Sequence, residues 1–488
     1  MSNIKNNTVI ALILVLAFVT RLLMAVFFYS NAGDTGTYEI FAQNIYRGCG
    51  MSYSDPNSSL CELTSGGYFP GYPVFVASIW KLMGTKSTWV LIGQIVSYVI
   101  ALFLLLRSIN YLTQNQKIVI IVGIFMALSP LQIGWYRFLI TEPLAISLSI
   151  WFVSELVLSL ALKKIRVFSL SVAMVLSVYV RPDTILMFVG IIPIAFYLHT
   201  PKQAFLKLFM IIFLSTIPIS GWMIRNVSVG DSPITKQVDY YPKSPGYIKW
   251  WKTWVVNEYQ RADIFFPLWP NCGFCYSQIK VHDSRYINAE EMESVLKLIN
   301  ELKQYEGEPF PQIIDDQFND LYIQKSKNQS FLLSAYINLE RAFFLTLNPF
   351  SSWGLPLETR EINRKKILDA LTNKDIEYLA GAIEENWSPI IGKIFVFAYR
   401  LLLMACIVFI LCKIIILQKN STSSVDSNIN ILMLSSTLYF FTRLIFFIYL
   451  VNLESRYLIE ALVWLEVSVI IWILCYFKKF NAEIRSYS

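Results

Sequence analysis

The sequence predicts an all-α polytopic membrane protein, and three observations carry that prediction: long apolar blocks, scarce charge, and the places where the charges fall. Hydrophobic residues make up 55% of the 488 and charged residues 15%, with a mean hydropathy of +0.50. A soluble domain carries about 25% charged residues, so a soluble multidomain protein is excluded. The apolar residues come in blocks long enough to cross a bilayer, which takes roughly 20 residues each. The net charge of +7 could suggest nucleic acid. Its positions say otherwise: Arg107, Lys117, Lys163, Lys164, Arg166, Lys202, Lys207, Lys413, Lys419, Lys478 and Lys479 sit in short connections or beside span ends. That is the positive-inside pattern, and no basic, aromatic-interleaved patch argues for nucleic acid.

Candidate spans are Val9–Phe28, Thr88–Ser108, Ile118–Leu131, Leu144–Leu162, Val167–Val180, Thr184–Tyr197, Phe205–Met223, Ile391–Leu417, Ile429–Val451 and Leu458–Phe477. The third, fifth and sixth are short. The first lacks a small-residue cleavage site and exceeds a signal h-region, so it is read as retained. With the basic connections in the cytoplasm, both termini lie there too, and two large segments face out. The N-terminal membrane part then covers 1–224 with its first outer loop at 30–86, an outer α-rich domain covers 225–389, and the last helices cover 390–488.

In the first loop, Tyr38, Phe41, Ala42, Ile45 and Tyr46 recur at helical spacing. Such a helix is expected in the headgroup plane, aromatic face down. Gly66–Gly84 reads as a turn followed by a short apolar helix. In the outer domain, helical patterns run over Glu290–Glu306, Gln312–Ile323 and Leu332–Leu347, the last with an apolar face at Leu333, Ile337, Leu339 and Phe344. Tyr240, Tyr241, Tyr247, Trp250, Trp251, Trp254 and Tyr259 crowd its first part. They read as a membrane-interface belt, with sugar contact as a second use.

Six short motifs fall in order on the expected outer face: GDTGTY at Gly33–Tyr38, YFPGYP at Tyr68–Pro73, TEP at Thr141–Pro143, RPD at Arg181–Asp183, WMIRN at Trp222–Asn226 and ESRYL at Glu454–Leu458. Together they resemble the GT-C class of lipid-linked glycosyltransferases, in particular bacterial relatives of dolichyl-phosphate-mannose protein mannosyltransferases and of the lipid A aminoarabinose transferase. The resemblance covers the membrane part up to Asn226 and the last span, and touches the outer domain only through YINLERAFF before LNPFSSWG. It implies transfer of a sugar from a polyprenyl or dolichyl phosphate, with inversion, to a glycan, lipid or protein acceptor outside the cytoplasm. It implies a bacterial inner membrane as the setting. It also implies that the acidic first-loop residue, here Asp34, is the catalytic base or the group that orients the acceptor.

The residues themselves fit that chemistry. Asp34 follows the first span directly, at the depth where a lipid phosphate carries its sugar, and an ordinary aspartate is ionised at neutral pH. The competing reading is that Asp34 simply N-caps the following helix. Glu39 reads as a solvated helix residue. Glu142 and Asp183 stand at span edges, where an acid needs a partner; with Tyr38 and Arg181 they form either a site wall or a structural pair. The leaving phosphate needs cations, and arginine suits bidentate phosphate binding. Arg225 and Arg456 are the first candidates, then Arg137, with Lys81 standing in for a cation missing before the second motif. Arg21 is expected to be paired inside the bundle.

With two histidines, His199 and His282, a multi-histidine metal site is implausible, and nothing in the spacing demands a divalent metal. Four outer cysteines, Cys49, Cys61, Cys272 and Cys275, read as structural disulfides. A transporter or flippase of lipid-linked sugar, or an O-antigen-type polymerase or ligase, remains the alternative function. No internal repeat favours the transporter.

Overall fold

The computed structural model describes all residues except 1, 58–60, 64–67, 231–243, 269–273, 282–285, 350, 358–375, 418–423 and 488. Tyr240, Tyr241, Cys272, His282 and Lys419 therefore lie outside the described residues. Among the described residues the chain is all-α, with a single isolated bridge, Ser52 to Leu63.

Among the described residues, seven helices are long and apolar enough to cross a membrane: α1 (Ser2–Phe27), α4 (Ser87–Thr113), α6 (Thr141–Ala161), α9 (Pro201–Ser228), α15 (Ile376–Leu417), α16 (Ser424–Leu450) and α17 (Ile459–Tyr487). Three shorter apolar helices lie among them: α5 (Gln116–Leu128), α7 (Val167–Val180) and α8 (Met187–Leu198). These correspond to the three short expected spans. The chain is an integral membrane protein. The first loop contributes two short helices, α2 (Thr35–Tyr46) and α3 (Gly71–Met83). The inserted segment between α9 and α15 contributes α10 (Pro245–Trp251), α11 (Glu258–Phe265), α12 (Ala289–Leu302), α13 (Gln312–Asn328) and α14 (Phe331–Leu347).

The bundle is centred on α6 and α17, whose spans are the most deeply buried of the seven. Trp464 of α17 stacks on Phe152 of α6 at 5.4 Å and donates to Ser149 at 2.9 Å. Arg21 in α1 is fully buried, and its partners are the carbonyls that end α5. It donates to Met126 at 3.2 Å and Ala127 at 3.0 Å, while its guanidinium lies 3.4 Å from the Tyr98 ring centroid. A cation on unsatisfied C-terminal carbonyls is favourable through both hydrogen bonding and the helix dipole.

Three expectations about apolar faces change. Phe41 and Ala42 of α2 are fully buried, and Tyr38 meets Tyr68 and Tyr72 edge-on at 5.4 and 5.0 Å. The aromatic face of α2 thus packs on α3 and its lead-in, not on lipid. Trp250 and Trp254 are likewise buried, packed at tilted angles on each other, with Trp250 also against Phe318 and Phe318 edge-on to Tyr247, inside the inserted segment. They form its core and not an interface belt. On α14, Ile337 is buried as expected, but Leu339 points outward. Sequence periodicity identifies an apolar face without saying whether lipid or protein covers it.

One glycine sets the distance between α3 and the end of α7. A Cβ at Gly71 would lie 2.6 Å from the Tyr179 carbonyl, two residues before Arg181. Backbone cannot swing aside as a side chain can. Gly71→Ala is therefore expected to cost about 1–3 kcal/mol by overpacking. Gly36→Ala, with nothing within 4 Å of the added methyl, should be neutral or slightly stabilising. Thermal unfolding in detergent, followed by tryptophan fluorescence, checks the pair; equal melting temperatures for both variants would contradict the tight helix contact.

Candidate functional site

The chain alternates in direction, so one end of the bundle collects the end of α1, the start of α6, the end of α7, the start of α8 and the α16–α17 connection. A cavity of about 1130 Å³ opens there. Asp34, Tyr38, Tyr68, Glu142, Arg181 and Asp183 line it from the membrane part. Glu454, Arg456 and Tyr457 line it from the α16–α17 connection, and Glu258, Tyr259 and Arg261 from α11.

Local sequence places each group. After α1, the Ser30 amide donates to the Arg137 carbonyl at 3.2 Å, which anchors the loop. Thr35 then closes the turn, its hydroxyl accepting from the Ala32 amide at 3.0 Å. Asp34 occupies the N-cap position of α2 but makes no side-chain cap. Its carboxylate turns instead toward Arg456, 3.4 Å away. At the start of α11, Asn257 caps the amides of Tyr259 and Gln260 at 3.1 and 2.9 Å. The helix therefore begins at Glu258 and presents Glu258, Arg261 and Ala262 to the cavity.

A chain of ion pairs runs across the cavity floor. Arg443, buried in α16, pairs with Asp183 and lies 2.8 Å from Glu460 of α17. Arg181 reaches Glu460 at 3.3 Å, Asp183 at 3.4 Å and Glu142 at 3.3 Å. Arg456 continues from Glu142 at 3.5 Å to Asp34 at 3.4 Å and Glu454 at 2.7 Å. Arg261 of α11 ends it, 2.8 Å from Glu454.

This chain is polarised. At the α11 end, Arg261 and Arg456 share one glutamate, Glu454, and Glu258 lines the same end of the cavity, so two guanidiniums face two carboxylates there. At the α6–α8 end, Arg181 and Arg443 face three carboxylates, Glu142, Asp183 and Glu460, leaving one negative charge in excess. Asp34 stands between the two ends. Its side chain is 38% exposed, against 22% for Glu454, 14% for Asp183 and 3% for Glu142. It is the carboxylate of the network that an incoming molecule meets first.

The two acids outside the spans behave oppositely. Burial pushes the Asp34 carboxyl above its ordinary value; Arg456 pulls it down, and Glu142 and Glu454 push it further up. For Glu454 burial also pushes up, but Arg456 and Arg261 together outweigh it and hold the group below the usual glutamate range.

Of the residues singled out from sequence, the fold brings together Asp34, Tyr38, Glu142, Arg181, Asp183 and Arg456. Arg225 and Arg137 are not among the residues that line the cavity. Arg225 lies on Trp222 and donates to the Met51 carbonyl at 3.1 Å, tying the end of α9 to the first loop. Arg137 is buried against Phe138 outside the cavity lining. Lys81 is exposed in the last turn of α3, also outside it. Cys49 and Cys61 are bonded, closing the first loop, and Cys275 is also in a disulfide. Among the described residues, no group of three or more His, Cys, Asp or Glu side chains is placed to hold a metal ion.

No family model and no curated protein matches the chain. Among solved structures it is similar to the crystal structure of the Archaeoglobus fulgidus oligosaccharyltransferase in complex with zinc and sulfate. The identity is 10% and the TM-score 0.41, over 96% of this chain and 49% of that one. The chain spans about half the length of that protein. At this level of likeness no activity passes from one to the other.

Sequence reasoning missed Arg443, Glu460 and Arg261. The first two carried a usable signal, since an ionised group inside an apolar span demands a partner. Arg261 carried none.

The opposite shifts of Asp34 and Glu454 predict opposite effects on stability. A carboxyl raised in the folded state binds its proton more tightly there than when unfolded. Stability from Asp34 therefore falls as pH rises through that window. Glu454 contributes stability above its unfolded value that is lost as pH falls through its lowered one. At pH 7, Asp34→Asn should leave the melting temperature in detergent unchanged or raised, whereas Glu454→Gln should lower it. A clear loss in Asp34→Asn would make Asp34 a structural ion-pair residue.

Proposed function

We propose that the protein is a membrane glycosyltransferase that moves a sugar from a polyprenyl phosphate to an acceptor hydroxyl, with Asp34 as base. The observation that carries this is the position of Asp34, the most exposed carboxylate of the network, between the arginine pair at the α11 end and the acidic α6–α8 end of one cavity at the ends of the spans. A lipid phosphate reaches such a site from the bilayer while an acceptor reaches it from water. The cavity's volume suits a sugar with part of its acceptor, since pockets for small ligands run about 300–1,000 Å³.

In this reading the donor's phosphate rests at the α11 end, on Arg456. Asp34 takes the proton of the acceptor hydroxyl as its oxygen bonds to the anomeric carbon. The bond from that carbon to the phosphate oxygen breaks, its electron pair leaving with the lipid phosphate, and the carbon inverts. Positive charge developing on the sugar ring is stabilised by Glu142 and the carboxylates behind it. A raised Asp34 pKa serves this role, because a base works best with a pKa near the working pH. The Asp34–Arg456 contact is long and partly exposed, and such pairs contribute about 0–1 kcal/mol. Substrate can part them at little cost.

Arg107, Lys117, Lys163, Lys164, Arg166, Lys202 and Lys207 lie toward the helix ends away from the cavity. By the positive-inside rule this supports an extracytoplasmic site; the bacterial inner membrane and the glycan, lipid or protein acceptor rest on the motif resemblance alone.

Reconstitution with radiolabelled polyprenyl-phosphate sugars tests the reaction. Asp34→Asn should lower transfer by about 10²–10⁴-fold, the contribution of a general base, while donor binding persists. Arg456→Ala should weaken donor binding itself. Undiminished transfer in Asp34→Asn would sink the mechanism. As a separate check on sidedness, a cysteine at the exposed Glu293 position of α12 should react with a membrane-impermeant maleimide in intact cells. Labelling only after permeabilisation would place the site in the cytoplasm.

A further inference from the structure

Glu454 bridges two guanidiniums that come from different parts of the chain. Arg261 Nη1 donates to its Oε1 at 2.8 Å, and Arg456 Nε donates to its Oε2 at 2.7 Å. Two neighbouring cations repel unless an anion sits between them, so this one carboxylate sets their spacing. It also leaves them underused. A guanidinium has five N–H donors, and each arginine gives Glu454 only one. The outer edge of Arg456 is loosely held, with Nη2 3.4 Å from Asp34 and Nη1 3.5 Å from Glu142. Charge-assisted bonds of this type are normally about 2.7–2.9 Å long. Both arginines line the cavity.

We infer that Arg261, carried by the inserted segment, is the second arm of the phosphate site and binds the donor jointly with Arg456. The inference rests on the donor reading proposed above and extends it to a residue outside the membrane part. A sugar phosphodiester presents two non-bridging oxygens and one negative charge. That is one oxygen for each guanidinium. Arg261 also lies 5.2 Å from the Phe265 ring centroid on its own helix, which limits the directions its fork can take.

The test compares two probes, undecaprenyl phosphate and undecaprenol, by their dissociation constants for the full-length protein in nanodiscs. Wild type should prefer the phosphate. Arg261→Ala should weaken phosphate binding about tenfold, the loss of one charged hydrogen-bonding arm, with undecaprenol binding unchanged. A variant that merely misfolds would lose both ligands together. In that event Arg261→Gln, which keeps a donor for Glu454, supplies the same comparison. An unchanged preference for the phosphate in the folded Arg261 variant overturns the inference. If Arg456→Ala abolishes the preference and the Arg261 variant does not, Arg456 keeps its role and Arg261 has none. No preference in wild type would defeat the phosphate site altogether.

Discussion

The cavity depends on Arg181. It stands at the break between α7 and α8, almost fully buried, and contacts carboxylates from α6, from its own turn and from α17. Arg443 of α16 meets two of the same acids. Four transmembrane elements are thereby tied at one depth by two cations. Charges taken out of water cost several kcal/mol each unless well paired, so this arrangement tolerates little displacement. Removing one partner strands the others, which makes the floor stiff as well as charged. A rigid floor lets the other half of the cavity be loosely held without losing its geometry.

That other half is built differently. Asp34, Arg456, Glu454 and Arg261 come from a loop, a connection and an inserted segment, and all but Arg261 have side chains more exposed than those of the floor. The pairs here are also unequal. Those to Glu454 are short, and those from Arg456 to Asp34 and Glu142 are long. The weak contacts are the ones a substrate must replace, and the strong ones preserve the positions of the cations. Placing the least neutralised carboxylate where stiff and yielding halves meet follows from this division.

Much of the membrane architecture could be read from the sequence, because hydropathy is a local property. Ten apolar segments were expected and ten apolar helices occur, with α5, α7 and α8 the short ones. Within the site, Asp34, Glu142, Arg181, Asp183 and Arg456 were also visible, each standing at a span edge. What could not be read is which arginine shares a cavity with which acid. Arg225 and Arg456 carry the same local signal, a cation beside aromatic residues at the outer end of a span, yet only Arg456 reaches the cavity. The pairing of Arg443 with Asp183 joins residues 260 apart in sequence. No periodicity records such a contact. Nor does periodicity distinguish an aromatic face bound to lipid from one bound to protein, which is why α2 and the tryptophans of the inserted segment were assigned to the wrong surroundings.

The inserted segment is more than a cover. An Arg400 clasp shows how firmly it is seated: this buried arginine of α15 donates to the Asn348 carbonyl at 2.6 Å and the Thr346 carbonyl at 3.1 Å, at the C-terminal end of α14. Gly354 meets Gly134 backbone to backbone, close enough that a Cβ on either would clash. Arg341 of α14 donates to the Val255 carbonyl at 2.8 Å, two residues before the Asn257 cap. A path of direct contacts therefore runs from the membrane helices through α14 to the start of α11. Arg261 sits one turn beyond that cap. Its reach toward Glu454 is consequently set by the bundle itself, and a cation donated from outside the membrane part is held with much the same certainty as one built into it.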